Sequence, residues 1–414
     1  MAGATGAAPA TTVSARLMID FTPTFEVAEI RDRVAAFIRD AVIPVEGRDV
    51  SAHGLDDSLR AELQSAAMQA GLFVPHMSPE YDGLGLDHRG QAVVFEEAGY
   101  SLLGPQALNC AAPDEGNMHL LSRVATPDQC ERYLRPLAAG AIRSCFAMTE
   151  PAPGAGSDPA MLLTRAHKVD GGWSIQGRKW FITGAEGAAF AICMARTGES
   201  IAGGRGATMF LVDADNPGMQ VDRLIDAVDR SFPGGHGEVV FDDCRVGDDA
   251  VLGAVSEGYR YAQVRLAPAR LTHCMRWLGI ARRALDLAVD RANEREAFGS
   301  RLGELGMVQA MIADSVLDIE TSRLLIWKCA WSLDTGAPSR HESSIAKAHT
   351  AEAVNRVVDR AVQICGSLGV SNDTPLARFF AEIRPFRIYD GPTETHKWAI
   401  ARRALRERAT TRTA

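Results

Sequence analysis

The hydrophobic period of this chain switches twice, and no single-class fold accommodates that. From about residue 24 to 143, apolar side chains recur every three or four positions. From 144 to 254 they fall into short runs broken by turn residues, and from 255 the long period returns. A period near 3.6 builds helices with one buried stripe, whereas short Val/Ile/Phe-rich runs between Gly, Asp and Pro turns build strands. The order is therefore helical, β, helical. In FEVAEIRDRVAAFIRDAVIPVE, Val27, Ile30, Val34, Ile38 and Val42 share one face, and Pro44 is expected to close that helix. DDSLRAELQSAAMQAG reads as a second helix ending at Gly71, and a third is expected over about 89–100.

SIQGRKWFITG, AAFAICMART, ATMFLVDA, MQVDRL and GEVVFDDCRV read as strands, and GGRG at 203–206 as a hairpin turn. Three stripes follow: Leu278, Ala281, Leu285, Ala288 and Ala292; Val308, Met311, Ile312, Val316 and Ile319; Ala346, Ala353, Val357, Ala361 and Ile364. A last helix covers about 393–408. Long helices with short connections predict an antiparallel bundle. The division expected is a flexible N-terminal tail (1–23), an N-terminal helical domain (24–143), a middle β-barrel-like domain (144–254) and a C-terminal four-helix bundle (255–414).

Composition narrows the function classes. A formal charge of −8 with no basic stripe argues against a nucleic-acid partner. Eight cysteines are spread singly, with no CxxC and no His/Cys spacing for zinc, which predicts free thiols, no metal site and a reducing, cytoplasmic setting. No apolar run reaches membrane-span length. The first residues lack the solid apolar centre of a secretory signal.

Three stretches could carry chemistry. SCFAMTEPAPGAGSD (144–158) places glycines and hydroxyls in one loop, so that backbone can approach a flat or anionic ligand; a surface loop joining two domains would look the same. In GRKWFITG (177–184), strand alternation predicts that Trp180 and Phe181 face opposite ways, one toward a core and one over a ring system. In RIYDGPTETH (387–396), Asp390-Gly391-Pro392 is turn chemistry, and Asp390 is either a turn former or a catalytic carboxylate held by a turn.

With AMTEP…GSD, KWFITG, REAFG (295–299), QICGSLG (363–369) and YDG (389–391) in this order, the chain resembles the acyl-CoA dehydrogenase family over roughly residues 24–408. A subgroup carrying DGPxE at the last site is similar in APDEGNMHLL, RSCFAMTEP, HCMR and DGPTETHKW. The resemblance implies FAD lying between the β-domain and the C-terminal bundle. Phe146, Met148, Thr149, Gly156 and Ser157 would form one wall of its ring site. Phe181 would replace the family's tryptophan beside the ring, and Thr183 would supply a hydroxyl near N5. Arg295 and Phe298 would meet the FAD diphosphate of a neighbouring subunit, Gln363 and Gly366 would approach the dinucleotide, and Thr393 and Glu394 would approach the FAD from the turn. Around the substrate stand Ser157, Arg270, Tyr389 and Gly391. His273 and His396 are read as structural.

The implied reaction is α,β-dehydrogenation of an acyl-CoA thioester to the trans-2-enoyl-CoA, part of fatty-acid β-oxidation, with electron-transfer flavoprotein as acceptor and a homotetramer or dimer as the assembly. The family's commonest base is a Glu at the position of Asp390. A minority place it at the position of Ala269, which cannot act, so Asp390 is the aligned carboxylate, with a pKa expected to be raised by burial. Also open are a flavin-dependent acyl-CoA or nitroalkane oxidase, dehydrogenation of a carrier-protein thioester and, in a eukaryote, a mitochondrial-matrix location.

Overall fold

The computed structural model describes residues 21–48, 53–156, 158–198 and 206–413. Residues 1–20 of the expected tail, Ser157, and positions 203–205 of the GGRG turn lie outside the described residues. Helix α1 (Phe25–Phe37) starts at Thr24, whose hydroxyl accepts from the Val27 N–H at 3.3 Å. Ile30, Val34, Ile38 and Val42 are buried along one face. Pro44 does not end the helical winding. The chain widens over Ile38–Val42 and tightens over Ile43–Arg48, which puts the proline in the first turn of the tighter segment, where no N–H is needed. Helices α2 (Asp57–Gln69), α3 (His88–Ala98) and α4 (Asp114–Val124) complete the principal helices of this region. Gly71 follows α2 at φ 64°, as a left-handed cap demands.

The middle segment forms β1 (Ser144–Ala147), β2 (Arg165–Val169), β3 (Gly172–Thr183), β4 (Phe190–Arg196), β5 (Ala207–Asp213), β6 (Met219–Ile225), β7 (His236–Gly247) and β8 (Val251–Leu252). Their order is β6-β7-β3-β2-β4-β5-β8, with β1 joining β4 in parallel. The period of two explains why β4 is apolar throughout. Phe190, Ile192 and Met194 enter the core shared with the helices, while Ala191, Cys193 and Ala195 enter a second core on the sheet's other face.

The C-terminal part comprises α5 (Gly258–Glu294), a small hairpin of β9 (Glu296–Ala297) and β10 (Ser300–Arg301), then α6 (Gly306–Asp334), α7 (Arg340–Cys365), α8 (Leu376–Ile383) and α9 (Thr393–Thr413). The first and third expected stripes are buried throughout. The second is not: Val316 is exposed, and the inward face of α6 carries Ser315, Ile319, Ser322 and Ile326. Leu317 and Leu324 face outward. Ile319 is buried and Val308, Met311 and Ile312 pack half-buried against the core, so the apolar period faces the chain's own core except at Val316. No described helix is long and apolar enough to cross a membrane.

The TEP loop is fixed to β3 by a buried ion pair. Lys179 Nζ donates to Glu150 Oε1 at 2.9 Å and to the Met148 carbonyl at 3.0 Å, while Glu150 also accepts from the N–H groups of Leu163 and Thr164. Removing one partner of such a pair strands a charge and costs about 3–5 kcal/mol. Glu150→Gln is therefore expected to lower the melting temperature by about 10 °C. A thermal melt within a degree or two of the parent would show that the pair does not organise this loop.

Candidate active site

Helix α5 brings Arg265, Arg270 and His273 to one side, α7 brings Lys347, and the turn between α8 and α9 brings Tyr389 and Asp390. Asp390 has φ 54° and Gly391 φ 95°, so the turn is left-handed at both residues. A Cβ on Gly391 would lie 2.7 Å from His396 Nε2, so only glycine fits there. The turn is held by its carbonyls. Arg270 Nε donates to the Asp390 carbonyl at 2.9 Å, His396 Nε2 lies 3.1 Å from the same oxygen, and Lys347 Nζ donates to the carbonyls of Phe386 (2.6 Å) and Gly391 (3.1 Å).

The Asp390 side chain is thereby left over. Its Oδ2 is buried with no hydrogen-bond partner, and the nearest basic nitrogen is His273 Nε2 at 3.5 Å. Turn former and carboxylate thus separate: the main chain makes the turn, and the acid points away from it. Burial works to raise the Asp390 pKa, but His273, Arg265, Arg270 and Lys347 together outweigh it and hold the carboxyl below its ordinary value. This reverses the expected upward shift, because the sequence did not place these basic groups, of which Arg265, Arg270 and Lys347 carry charge near neutral pH, around the turn.

The neighbours have defined states. Arg276 Nη2 can only donate, so the 3.3 Å contact makes His273 Nδ1 an acceptor and leaves the imidazole proton on Nε2, toward Asp390. Burial first, then Arg276, drives His273 down to about 3, so it is neutral near pH 7. Burial likewise brings Lys347 down to about 8. Tyr389 packs its ring 4.9 Å from that of His273, and its hydroxyl accepts from Trp277 Nε1 at 2.5 Å. Ala269, the alternate base position, is buried. His273 also lines a cavity of about 40 Å³, with Arg276, Trp277, Ser231, Phe232 and Gln106 among its other walls.

The sheet side carries two groups of contacts near α5 and β3. The Arg265 guanidinium stacks 4.1 Å from the Phe146 ring centre, and its Nε donates to Asn117 on α4 at 2.7 Å. On β3, Thr183 Oγ1 lies 3.1 Å from His236 Nδ1, and His236 Nε2 lies 3.0 Å from Asp229 Oδ2. The Asp229 carboxylate is in turn one of the charges acting on the Tyr389 phenol. Arg270, Tyr389, Asp390 and Gly391 are therefore together at the turn, while Phe146 is tied to α5 through Arg265 and Thr183 to Asp229 through His236. Trp180 and Phe181 do not alternate: a register shift between Lys179 and Ile182, with Phe181 at φ 50°, sets the two rings 5.1 Å apart, edge to face. Thr149 spends its hydroxyl on the Trp180 carbonyl at 2.7 Å, and Met148 is half-buried behind it. Thr393 is buried and donates to Glu352 at 2.8 Å, while Glu394 is exposed in the first turn of α9.

Four expected residues lie elsewhere. Arg295 ends α5 and Phe298 tips the hairpin, 96% exposed; Gln363 and Gly366 end α7. Arg291 is the charge acting on Cys365, so the two helix ends lie together. From Arg270 to the end of α5 is about 36 Å at 1.5 Å per residue. Sequence reasoning gave no role to Arg265, Lys347, Asp229 or His236, and set His273 aside as structural. A lysine directly beside Ala346, at the edge of an otherwise apolar stripe, was the one available signal for Lys347.

Models of the N-terminal, middle and C-terminal domains of acyl-CoA dehydrogenases match residues 24–141, 145–244 and 256–405. The chain belongs to the acyl-CoA dehydrogenase family. It is 38% identical over 411 residues to the Mycobacterium tuberculosis protein named "Probable acyl-CoA dehydrogenase FadE2", covering 95% of this chain and 98% of that one. It is 37% identical to acyl-CoA dehydrogenase family member 10 of Mus musculus over 92% of this chain, but spans only 37% of that longer protein. The solved butyryl-CoA dehydrogenase of Megasphaera elsdenii superposes with a TM-score of 0.84 at 28% identity, covering 93% of this chain and all of that one. Membership makes this acyl-CoA dehydrogenase-fold chain an oxidoreductase acting on acyl-CoA.

The residues present fit the family's flavin ring. Phe181 leaves 47% of its surface open beside the Thr183 strand, and Gly156 has nothing within 4 Å of where a Cβ would stand. Gly366 adopts φ 61° with equally open surroundings.

Proposed function

We propose that this chain binds FAD and catalyses α,β-dehydrogenation of an acyl-CoA thioester, with Asp390 taking the α-proton. The observation that carries this reading is the unpartnered, buried Asp390 Oδ2 on a turn whose main chain is clamped from α5, α7 and α9. When bound, FAD supplies a two-electron acceptor for the β-hydride. The protein's share is to hold the acid and the acyl group in register. Arg265, Arg270 and Lys347 keep Asp390 ionised in the resting site, and neutral His273 crowds its Oδ2 without neutralising it. Gly391 and Tyr389 line the thioester end. Phe146, Met148, Thr149, Gly156, Ser157, Phe181 and Thr183 would wall the ring system. Thr393 supports the turn through Glu352, with Glu394 at its exposed end.

Arg295, Phe298, Gln363 and Gly366 would serve the FAD of a neighbouring subunit, since the end of α5, where Arg295 stands, lies about 36 Å along that helix from Arg270, which holds the Asp390 turn. The outward Leu317 and Leu324 of α6, above buried serines, support burial of that face in an oligomer. Electron-transfer flavoprotein is the acceptor we assign.

Anaerobic mixing with a panel of saturated acyl-CoAs should bleach the bound flavin, and aerobic mixing without an added acceptor should release no stoichiometric peroxide. FAD-loaded protein that no acyl-CoA bleaches would remove the proposal. The pH dependence is also specified. A carboxyl held below its ordinary 3.8 stays ionised above that value and loses its charge as pH falls through the lower folded value. kcat/KM reports the free enzyme, so it should show no acid limb between pH 5 and 7. A limb near pH 6 would mean that the base is not this carboxylate in this setting.

A further inference from the structure

We propose that Asp229 and His236 are positioning residues that turn the Thr183 hydroxyl into a hydrogen-bond acceptor toward flavin N5, favouring reduced over oxidised flavin. The inference rests on the proposed reading that N5 lies beside Thr183. Thr183 and His236 are cross-strand partners in β3 and β7, and Thr183 Oγ1 lies 3.1 Å from His236 Nδ1. His236 Nε2 lies 3.0 Å from Asp229 Oδ2, with both side chains buried. A carboxylate accepts and does not donate, so in the neutral imidazole the proton sits on Nε2 and Nδ1 presents a lone pair. The Thr183 hydroxyl, 3.1 Å away, donates to that lone pair, which leaves Oγ1 with lone pairs alone for a third partner.

The order is enforced from the C-terminal part. Glu382 accepts from the Arg230 N–H (2.7 Å), the Ser231 N–H (3.1 Å) and the Ser231 hydroxyl (2.6 Å), which fixes the loop that carries Asp229. Phe232 and Phe181 flank the imidazole at 5.7 and 6.1 Å.

The consequence is directional. Oxidised flavin N5 carries a lone pair and would face the lone pairs of Thr183. After reduction the substrate Cβ–H pair has become the N5–H bond, the α-proton is on Asp390, and N5–H can donate to Oγ1. One hydrogen bond of ordinary strength, about 1.4 kcal/mol, is a tenfold shift in the reduced-to-oxidised ratio.

The test measures the midpoint potential of bound FAD by dye equilibration without substrate. Thr183→Val should lower it by about 30 mV, the equivalent of tenfold for two electrons; Thr183→Ser should leave it in place. Asp229→Asn can donate to Nε2 and move the imidazole proton to Nδ1, which turns the Thr183 hydroxyl outward as a donor. In that background Thr183→Val should raise the potential instead. A Thr183→Val variant of the parent that keeps or raises its potential overturns the proposal, and so does an unchanged sign in the Asp229→Asn background. If Asp229→Asn does not fold, the sign in the parent decides. Absence of bound FAD in the parent, or no bleaching by any acyl-CoA, would fail the proposed function instead.

Discussion

Replacing Asp390 by Asn should slow anaerobic flavin reduction by acyl-CoA by about 10²–10⁴-fold, the contribution of a positioned base, while the visible spectrum of bound FAD persists. Asn is the informative substitution because it tolerates the left-handed region that Asp390 occupies at φ 54°. The turn also survives it, since Arg270, His396 and Lys347 grip carbonyls and not the side chain. Only the proton acceptor is removed. Asp390→Glu asks the complementary question of reach. It lengthens the arm by about 1.5 Å into a site where His273 already lies 3.5 Å from Oδ2, so it should fall between Asn and the parent. Bleaching at the parental rate by Asp390→Asn would exclude this carboxylate as the base and return the turn to a purely architectural role.

The fold was legible because its signals were periodic. Leu278 to Ala292 on α5 and Ala346 to Ile364 on α7 repeat at helical spacing and are buried; β4 and β5 are continuous apolar runs with a core on each face. The stripe on α6 is buried only in part: Ile319 is buried and Val308, Met311 and Ile312 pack against the core, but Val316 is exposed. Legibility of the candidate site stopped at single positions. The DGP turn could be read from Asp390, Gly391 and Pro392, yet its electrostatics come from Arg265, Arg270 and Lys347, which lie 125, 120 and 43 positions before Asp390 in sequence and carry no motif. Hence the turn alone suggests a pKa raised by burial, whereas the groups around it lower that of Asp390. Phe181 failed for a local reason: a bulge beside it overrode the alternation that the run KWFIT suggests.

Mixing two inactive variants should restore activity. If Arg295 serves the FAD of a neighbouring subunit, Arg295→Glu opposes the diphosphate of that neighbour and empties the site, and Asp390→Asn disables the site of its own chain. Each homo-oligomer is then inactive. In an assembly that pairs one chain of each kind, the site built from the intact Asp390 of one and the intact Arg295 of the other is whole, and the second site carries both lesions. Co-refolding or co-expression should therefore return about half the parental activity per mixed pair. The premise is geometric, because the end of α5 lies about 36 Å along the helix from Arg270 and so from the Asp390 turn that Arg270 holds. Phe298, 96% exposed beside Arg295, is an apolar tip that has no place in its own chain's core. Recovery requires both residues to act across one interface. Loss of FAD from Arg295→Glu with no recovery on mixing would place the diphosphate contact within a single chain, and FAD retention by Arg295→Glu would remove Arg295 from the cofactor site altogether.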